Sequence, residues 1–100
     1  MKILALEHEL PGASPAQFQQ FGKEEALRAW ELYQAGAVRE LYFRADQPAA
    51  VLVLECASTA EAAALLQSLP FVREGLIHFE LIPLAAYPGF ARLFGNAEEG

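Results

Sequence analysis

The chain has 100 residues, enough for one sheet, a pair of helices and one hydrophobic core but not for a second independent core. Its formal net charge of -6 and its 7 scattered basic residues argue against a nucleic-acid partner, because phosphate contacts need clustered Lys and Arg. Hydrophobic residues make up 54% of the chain and charged residues only 20%, so part of the apolar surface needs a cover, which predicts a homodimer.

The first predicted elements are a buried strand and a long helix. The apolar run from Lys2 to about His8 predicts a strand that is covered on both faces. Ser14, Pro15 and Gln17 combine an N-cap serine, a proline at the first helical position and a capping-box partner. Apolar residues then recur at helical spacing until Gly36, so one side of this helix is expected to lie on a sheet.

A hairpin and a second helix follow. The runs Ala37–Arg44 and Ala50–Ala57 are rich in Val, Leu, Tyr and Phe and flank a polar turn, which predicts two antiparallel strands. The segment from Ser58 to Glu61 repeats the capping-box pattern. It opens a helix of about ten residues that is expected to end at Leu69-Pro70.

The chain closes with a last strand and an aromatic tail. The strand is expected from roughly Gly75 to Pro83 and the tail from Ala85 to Phe94. Residues 1–95 would form a single domain, with residues 96–100 frayed. The order strand, helix, strand, strand, helix, strand predicts a ferredoxin-like α+β fold, with both helices on one face of a four-stranded antiparallel sheet. The first strand should lie between the second hairpin strand and the last strand.

The sheet face without helices has a mixed predicted composition. Hydrophobic alternation places Leu41 and Phe43 on the helix side, opposite Leu54 and Leu52. The other face then carries Val38, Val51, Val53, Leu76, Ile82, Glu40, Tyr42, Glu55, His78 and Glu80. This set is too apolar for water and too polar for a dry interface. Two such faces meeting in a homodimer would form a dimeric α/β barrel that encloses a small-molecule ligand.

The predicted chamber gathers groups that can move a proton. The expected register places Glu40 opposite Glu55, and two close carboxyls in a low dielectric resist ionising together. His78 would lie two strand spacings from Glu55, about 10 Å away, with Ala5 leaving space between them if it faces the chamber. The candidate catalytic residues are Glu40, Tyr42, Glu55 and His78, and the candidate substrate-binding residues are Glu25, Val38, Val53 and Glu80.

Several of these side chains also have plainer interpretations. The glutamates could lie on a solvated rim, with His78 hydrogen-bonded in an interface, and Glu25 could reach the rim from the edge of its helix. Cys56 falls on the helix-facing parity and is expected to be an inert core thiol. His78, Glu80 and a further carboxylate could form a metal site, but the chain has no HExxH motif and no cysteine cluster. We therefore expect no metal and no other cofactor.

The compartment follows from the cysteine content and the hydropathy pattern. Cys56 is the only cysteine, so no intrachain disulfide is possible and a reducing compartment is expected. The amino terminus begins like a signal sequence, but Glu7 and Glu9 interrupt the apolar run too early. No stretch approaches the roughly 20 apolar residues that cross a bilayer. The sequence thus predicts a cytoplasmic protein without a membrane partner.

Several short motifs occur together over nearly the whole chain. They are Leu10-Pro11 before the first helix, Glu25 within it, Gly36 to Tyr42 entering the hairpin, Ser58 with Glu61 at the second helix, and Leu69-Pro70-Phe71. In this combination the chain resembles the muconolactone isomerase-like family of the dimeric α/β-barrel superfamily. The resemblance implies cofactor-free proton transfer on small lactones, in dimers that often assemble into higher oligomers.

Three functions remain open from the sequence. The first is a cofactor-free isomerase or lyase in which His78 or Glu55 removes a proton and Tyr42 or Glu40 returns it. The second is a cofactor-free monooxygenase of the same superfamily, in which the substrate carbanion reacts with oxygen. The third is a non-catalytic ligand-binding or interaction module, in which the aromatic tail covers the partner subunit.

Overall fold

The computed structural model describes residues 1–95, which form a four-stranded antiparallel sheet with its helices packed on one face. The strands are β1 (Lys2–Glu9), β2 (Val38–Phe43), β3 (Ala50–Glu55) and β4 (Ile77–Leu84). The helices are α1 (Pro15–Gln34), α2 (Thr59–Gln67), α3 (Pro70–Arg73) and a 3-10 helix at Pro88–Leu93. The strand order β2-β3-β1-β4 confirms the predicted ferredoxin-like fold. The expected fraying of residues 96–100 lies outside the described residues.

Local signals at both ends define α1. The Ser14 Oγ accepts a hydrogen bond from the Gln17 backbone N–H at 3.3 Å, and Gln17 Oε1 accepts one from the Ser14 backbone N–H at 3.1 Å. This reciprocal pair is a capping box, and Pro15 adds a preformed first turn. The helix ends at Gln34, and Gly36 follows with a φ of 84°. That left-handed conformation explains why a glycine terminates the helix.

The second helical segment is divided by a proline. The Ser58 Oγ caps α2 by accepting from the Glu61 backbone N–H at 3.1 Å. The sequence predicts one helix ending at Leu69-Pro70, but α2 already ends at Gln67. Pro70 instead lies in the first turn of the short α3, where a missing backbone N–H costs no helical hydrogen bond.

The hydrophobic core lies between the helices and one face of the sheet. Its fully buried members include Ile3 and Leu54 from the strands and Ala62 from α2. Ala5 also belongs to this core, where it lies opposite Leu52. The condition left open from the sequence, that Ala5 faces the helix-free side, is therefore not met. Because β1 is apolar on both faces, its alternation did not determine which face points toward the helices.

A β-bulge in β2 changes the predicted faces of the hairpin. Val38 lies opposite Leu54 and Glu40 lies opposite Val53, so Arg39 is the extra residue. Val38 is consequently only 2% exposed and belongs to the core, which corrects its predicted position on the helix-free face. The rest of the hairpin is offset by two residues from the predicted pairing, with Leu41 opposite Leu52.

The helix-free face, called the open face below, carries a half-buried apolar centre. Leu4 lies between Val53 on β3 and Ile82 on β4, and Leu6 lies next to it along the same face. Leu76 was also predicted here, but it precedes β4 and is buried. Among the described residues, no helix combines the length and the apolarity needed to span a membrane.

Candidate active site

A cavity of about 390 Å³, called the helix-side cavity below, opens between α1 and the helix-facing side of the sheet. Its apolar wall is formed mainly by Ala26, Ala29, Leu52, Leu69, Phe71 and Phe79. Two carboxyl groups also line it, Glu7 from β1 and Glu25 from α1. An apolar concavity with a few converging polar groups is the usual form of a small-molecule site.

Glu7 reaches the helix-side cavity from the central strand. It lies opposite Phe79 on the helix-facing parity of β1. Its Oε1 accepts a hydrogen bond from the Ala50 backbone N–H at 3.0 Å. Burial raises the pKa of Glu7, the Ala50 hydrogen bond opposes this shift, and the nearby Glu9 carboxylate adds to it. The protonated form of Glu7 is thus favoured more than in an exposed glutamate.

Glu25 enters the cavity from the middle of α1. Its Oε1 accepts a hydrogen bond from the Phe71 backbone N–H at 2.9 Å, one of the first-turn groups of α3 that have no partner within the helix. Phe71 is itself held by an edge-to-face contact with Phe18, with ring centroids 5.1 Å apart. Burial raises the pKa of Glu25, with a smaller further increase from the Glu7 charge. The Phe71 hydrogen bond and the more distant Arg73 lower it in part.

The two glutamates therefore share one apolar cavity. Burial raises the pKa of both carboxyls and the Glu7 charge raises that of Glu25 further, so each is protonated more readily than an exposed glutamate. Such a pair offers a proton acceptor and a proton donor at the same site.

A second depression of about 570 Å³, called the edge groove below, runs between α1 and the edge strand β2. Its lining consists of Ala26, Ala29, Trp30, Tyr33, Arg39, Glu40, Leu41 and Tyr42. Four of these residues also line the helix-side cavity, so the two depressions adjoin. The Tyr42 Oη donates to Glu40 Oε1 at 2.7 Å, and this hydrogen bond raises the pKa of Tyr42. Of the predicted site residues, Glu25, Glu40 and Tyr42 are thus brought to one region.

The other predicted catalytic groups are held apart. Glu40 lies opposite Val53 instead of Glu55, because the hairpin pairs two residues away from the predicted register. Glu55 lies opposite Lys2 and His78 lies opposite His8, which places them near opposite ends of β1, roughly 20 Å apart along the strand. The predicted separation of two strand spacings is therefore wrong. Alternation specifies which face a side chain occupies, but it does not specify the register along the strand.

His78 and Glu80 do share the open face, as predicted, but with a partner that the sequence analysis missed. The His78 ring stacks on the His8 ring, with centroids 5.1 Å apart, and Glu80 Oε1 lies 3.1 Å from His8 Nε2. Within residues 1–95, no group of three or more His, Cys, Asp or Glu side chains is arranged to hold a metal ion. Val53 is half-buried on the same face, away from the helix-side cavity.

Cys56 is buried in the core, as expected, and burial raises the pKa of its thiol.

Glu7 was not among the candidate residues predicted from the sequence, although an acidic residue near the end of an otherwise apolar strand was a usable signal. It was missed because its parity could not be assigned in a strand that is apolar on both faces.

The sheet order, the helices on one face and the cavity between the two layers define a ferredoxin-like α+β protein. Within this class, the family model for muconolactone delta-isomerase matches residues 5–89, and the chain belongs to that family. No curated protein sequence matches the chain.

Two solved structures share this fold. A crystal structure of muconolactone isomerase at 3.3 Å resolution aligns with a TM-score of 0.72 and 24% sequence identity, over 88% of this chain and 92% of that one. The 5-chloro-2-hydroxyhydroquinone dehydrochlorinase from Burkholderia phenoliruptrix AC1100, in complex with 2,5-dihydroxybenzoquinone, aligns with a TM-score of 0.59 and 17% identity, over 85% and 94%. At these identities both similarities establish the fold.

Proposed function

We propose that the protein is an isomerase that transfers a proton within a small lactone or related carbonyl compound, using the helix-side cavity as its active site. The observation that carries the proposal is the pair of half-buried carboxyls, Glu7 and Glu25, in one apolar cavity. Membership of the muconolactone delta-isomerase family supports the reaction type. His78 and Glu55 lie outside this cavity, and the proposal assigns them no step.

The two glutamates divide the reaction into two proton transfers, one from the substrate and one back to it. Ionised Glu7 takes a proton from the carbon at one end of the unsaturated system conjugated with the substrate carbonyl, so that a C–H bond breaks, an O–H bond forms and the negative charge moves to the enolate oxygen. Protonated Glu25, which holds its proton more firmly because of the Glu7 charge, gives it to the far carbon of the conjugated system. The double bond shifts, and the net charge stays constant. Since side chains supply both acceptor and donor, the step needs no cofactor.

The apolar wall contributes by excluding water from the reacting atoms. In a low dielectric, the carboxylate is a stronger base and the carboxylic acid is held neutral. The backbone hydrogen bonds from Ala50 and Phe71 fix the direction of the two carboxyls, so their orientation does not have to be established at each turnover.

The test uses muconolactone and a panel of small unsaturated lactones in deuterated buffer, with proton NMR as the readout. The protein should both isomerise a lactone of this panel and incorporate deuterium at the carbon that receives the returned proton. Glu25→Gln and Glu7→Gln should each reduce the rate by at least about 100-fold, because each removes one partner of the acid–base pair while keeping a hydrogen-bond acceptor.

The matched control is Glu24→Gln, which removes an exposed carboxylate from the same helix outside the cavity and should leave the rate unchanged. Deuterium incorporation that persists in both cavity variants would exclude the pair as the catalytic groups. No incorporation with any lactone of the panel would contradict the proposed reaction itself.

A further inference from the structure

The chain ends in a segment that leaves large apolar side chains in solvent. This segment, residues 85–95, is called the C-terminal arm. Tyr87, Phe90, Leu93 and Phe94 are between 64% and 88% exposed. Folded domains rarely leave such a cluster uncovered unless it belongs to an interaction surface.

The arm nevertheless has a defined local structure. Pro88–Leu93 form a 3-10 helix, and the Tyr87 ring meets the Phe90 ring edge-to-face with centroids 5.0 Å apart. Tyr87 also lies over Gly89 so closely that a Cβ at position 89 would be 2.1 Å from the ring. A larger residue at this position would require the Tyr87 ring to move. The arm is therefore preorganised for docking, which lowers the entropic cost of binding.

The arm also extends away from the rest of the domain. The molecule measures 58 Å along its longest axis, although α1, its longest element at 20 residues, spans only about 30 Å. The family match ends at residue 89, so Phe90, Leu93 and Phe94 lie beyond the part of the chain that the family model describes.

The edge groove is an uncovered and mostly apolar concave surface. Its lining side chains Trp30, Tyr33, Leu41 and Tyr42 are between 44% and 58% exposed. Aromatic side chains of this kind favour edge-to-face and stacked contacts with other aromatic rings. The groove thus matches the arm in chemical character.

The topology separates the arm from the groove of its own chain. The arm follows β4, which forms one edge of the sheet, whereas the groove follows β2, which forms the opposite edge. Three strand spacings, roughly 14 Å, lie between these edges, and the arm extends outward instead of crossing them. We propose that the C-terminal arm of one copy docks in the edge groove of a second copy through Tyr87, Phe90, Leu93 and Phe94.

Trp30 provides a direct readout, because it is the only tryptophan of the chain and it lines the groove. Docking should move its fluorescence emission to shorter wavelength. In the full-length protein this shift should fade on dilution, since the contact is between two copies. A chain truncated after Ala86 should show the longer-wavelength emission at every concentration.

Adding the arm back in trans tests the groove itself. A synthetic peptide of residues 84–95 should restore the short-wavelength emission of the truncated chain in a saturable manner. The same peptide with serine in place of Tyr87, Phe90, Leu93 and Phe94 should have no effect. Ala26→Arg, which places a long side chain in the groove, should abolish the response to the unmodified peptide.

Each other result contradicts the proposal. Identical emission of the full-length and truncated chains would show that the arm never reaches Trp30. A shift that does not depend on concentration would show that the arm docks within its own chain. Peptide binding without a Trp30 response, or binding that survives Ala26→Arg, would place the arm on another surface. If the truncated chain does not fold, the full-length variant Phe90→Ser, Leu93→Ser, Phe94→Ser serves in its place, because these side chains lie outside the core.

Discussion

Glu7 and Glu25 make stability depend on pH in a defined direction. Burial raises the pKa of both groups in the folded state, above the value of about 4.3 typical of an unfolded glutamate. Both therefore bind protons more tightly when the chain is folded. Their stabilising contribution is complete below the unfolded pKa and is lost as pH rises through the folded pKa.

Urea unfolding between pH 4 and pH 8 measures this effect, in the native protein and in a double variant that carries both Glu7→Gln and Glu25→Gln. The double variant should gain stability relative to the native protein as pH rises, because each glutamine keeps a side-chain oxygen that accepts from the Ala50 or Phe71 backbone N–H but has no charge to bury. Glu24→Gln, on the exposed side of α1, should show no such trend. A difference that is constant across this pH range would contradict the raised pKa values.

The core position of Leu54 leads to a second prediction. Leu54 is 1% exposed and belongs to the core, so Leu54→Ala should lower the free energy of unfolding by about 2–5 kcal/mol through lost burial and a new cavity. Leu27→Ala removes the same atoms from an exposed site on α1 and should cost much less. Equal losses in urea unfolding would contradict the assigned position of the core.

At the level of elements, the capping box of α1 can be tested by substitution. Ser14→Ala removes the side-chain acceptor for the Gln17 backbone N–H and should lower the free energy of unfolding by about 1 kcal/mol. Ser14→Thr keeps a hydroxyl and should recover most of the loss. Urea unfolding checks both values, and equal stability of the alanine and threonine variants would show that the cap contributes nothing.

The elements that the sequence predicted well are those with local causes. Ser14 and Gln17 define the start of α1 by hydrogen bonds within four residues, and Gly36 defines its end by its own backbone conformation. Register has no such local cause. The bulge at Arg39 depends on how β2 fits β3, so the face of Val38 and the partner of Glu40 could not be read from alternation.

The candidate active site was predictable from the sequence only in part, because it also depends on strand register and parity. Glu25 was recognisable because a helical pattern marks the buried side of α1. Glu7 joins it only through the parity of β1 and the packing of α1 on the sheet. The predicted contact between Glu40 and Glu55 failed because it required the correct register in a bulged hairpin.

For the whole molecule, the open face leads to a prediction about assembly. Its half-buried apolar centre, around Leu4, Val53 and Ile82, should form the contact of a homodimer. Val53→Lys should separate this dimer, because the lysine charge would be buried in the interface. In the separate subunit the lysine lies opposite Glu40 on the neighbouring strand, so the charge has a partner there. Light scattering should be done on chains truncated after Ala86, so that the C-terminal arm cannot hold copies together.

The control for assembly is Leu27→Lys, which adds the same charge to an exposed position of α1 and should leave the dimer intact. A truncated chain that is already monomeric at micromolar concentration would contradict a dimer built on the open face.

The central position of β1 also determines when the protein can fold during its synthesis. β1 is translated first, yet its two neighbours in the sheet are β3 and β4, and Lys2 lies opposite Leu84. One edge of β1 can pair with β3 once residue 55 has emerged, but the other edge stays unpaired until β4 has been made. At about 5–20 residues per second, the nascent chain exposes this apolar strand with an open edge for several seconds. The sheet should thus be completed only after β4 has left the ribosome, and holding chaperones should bind the nascent chain through β1 before then.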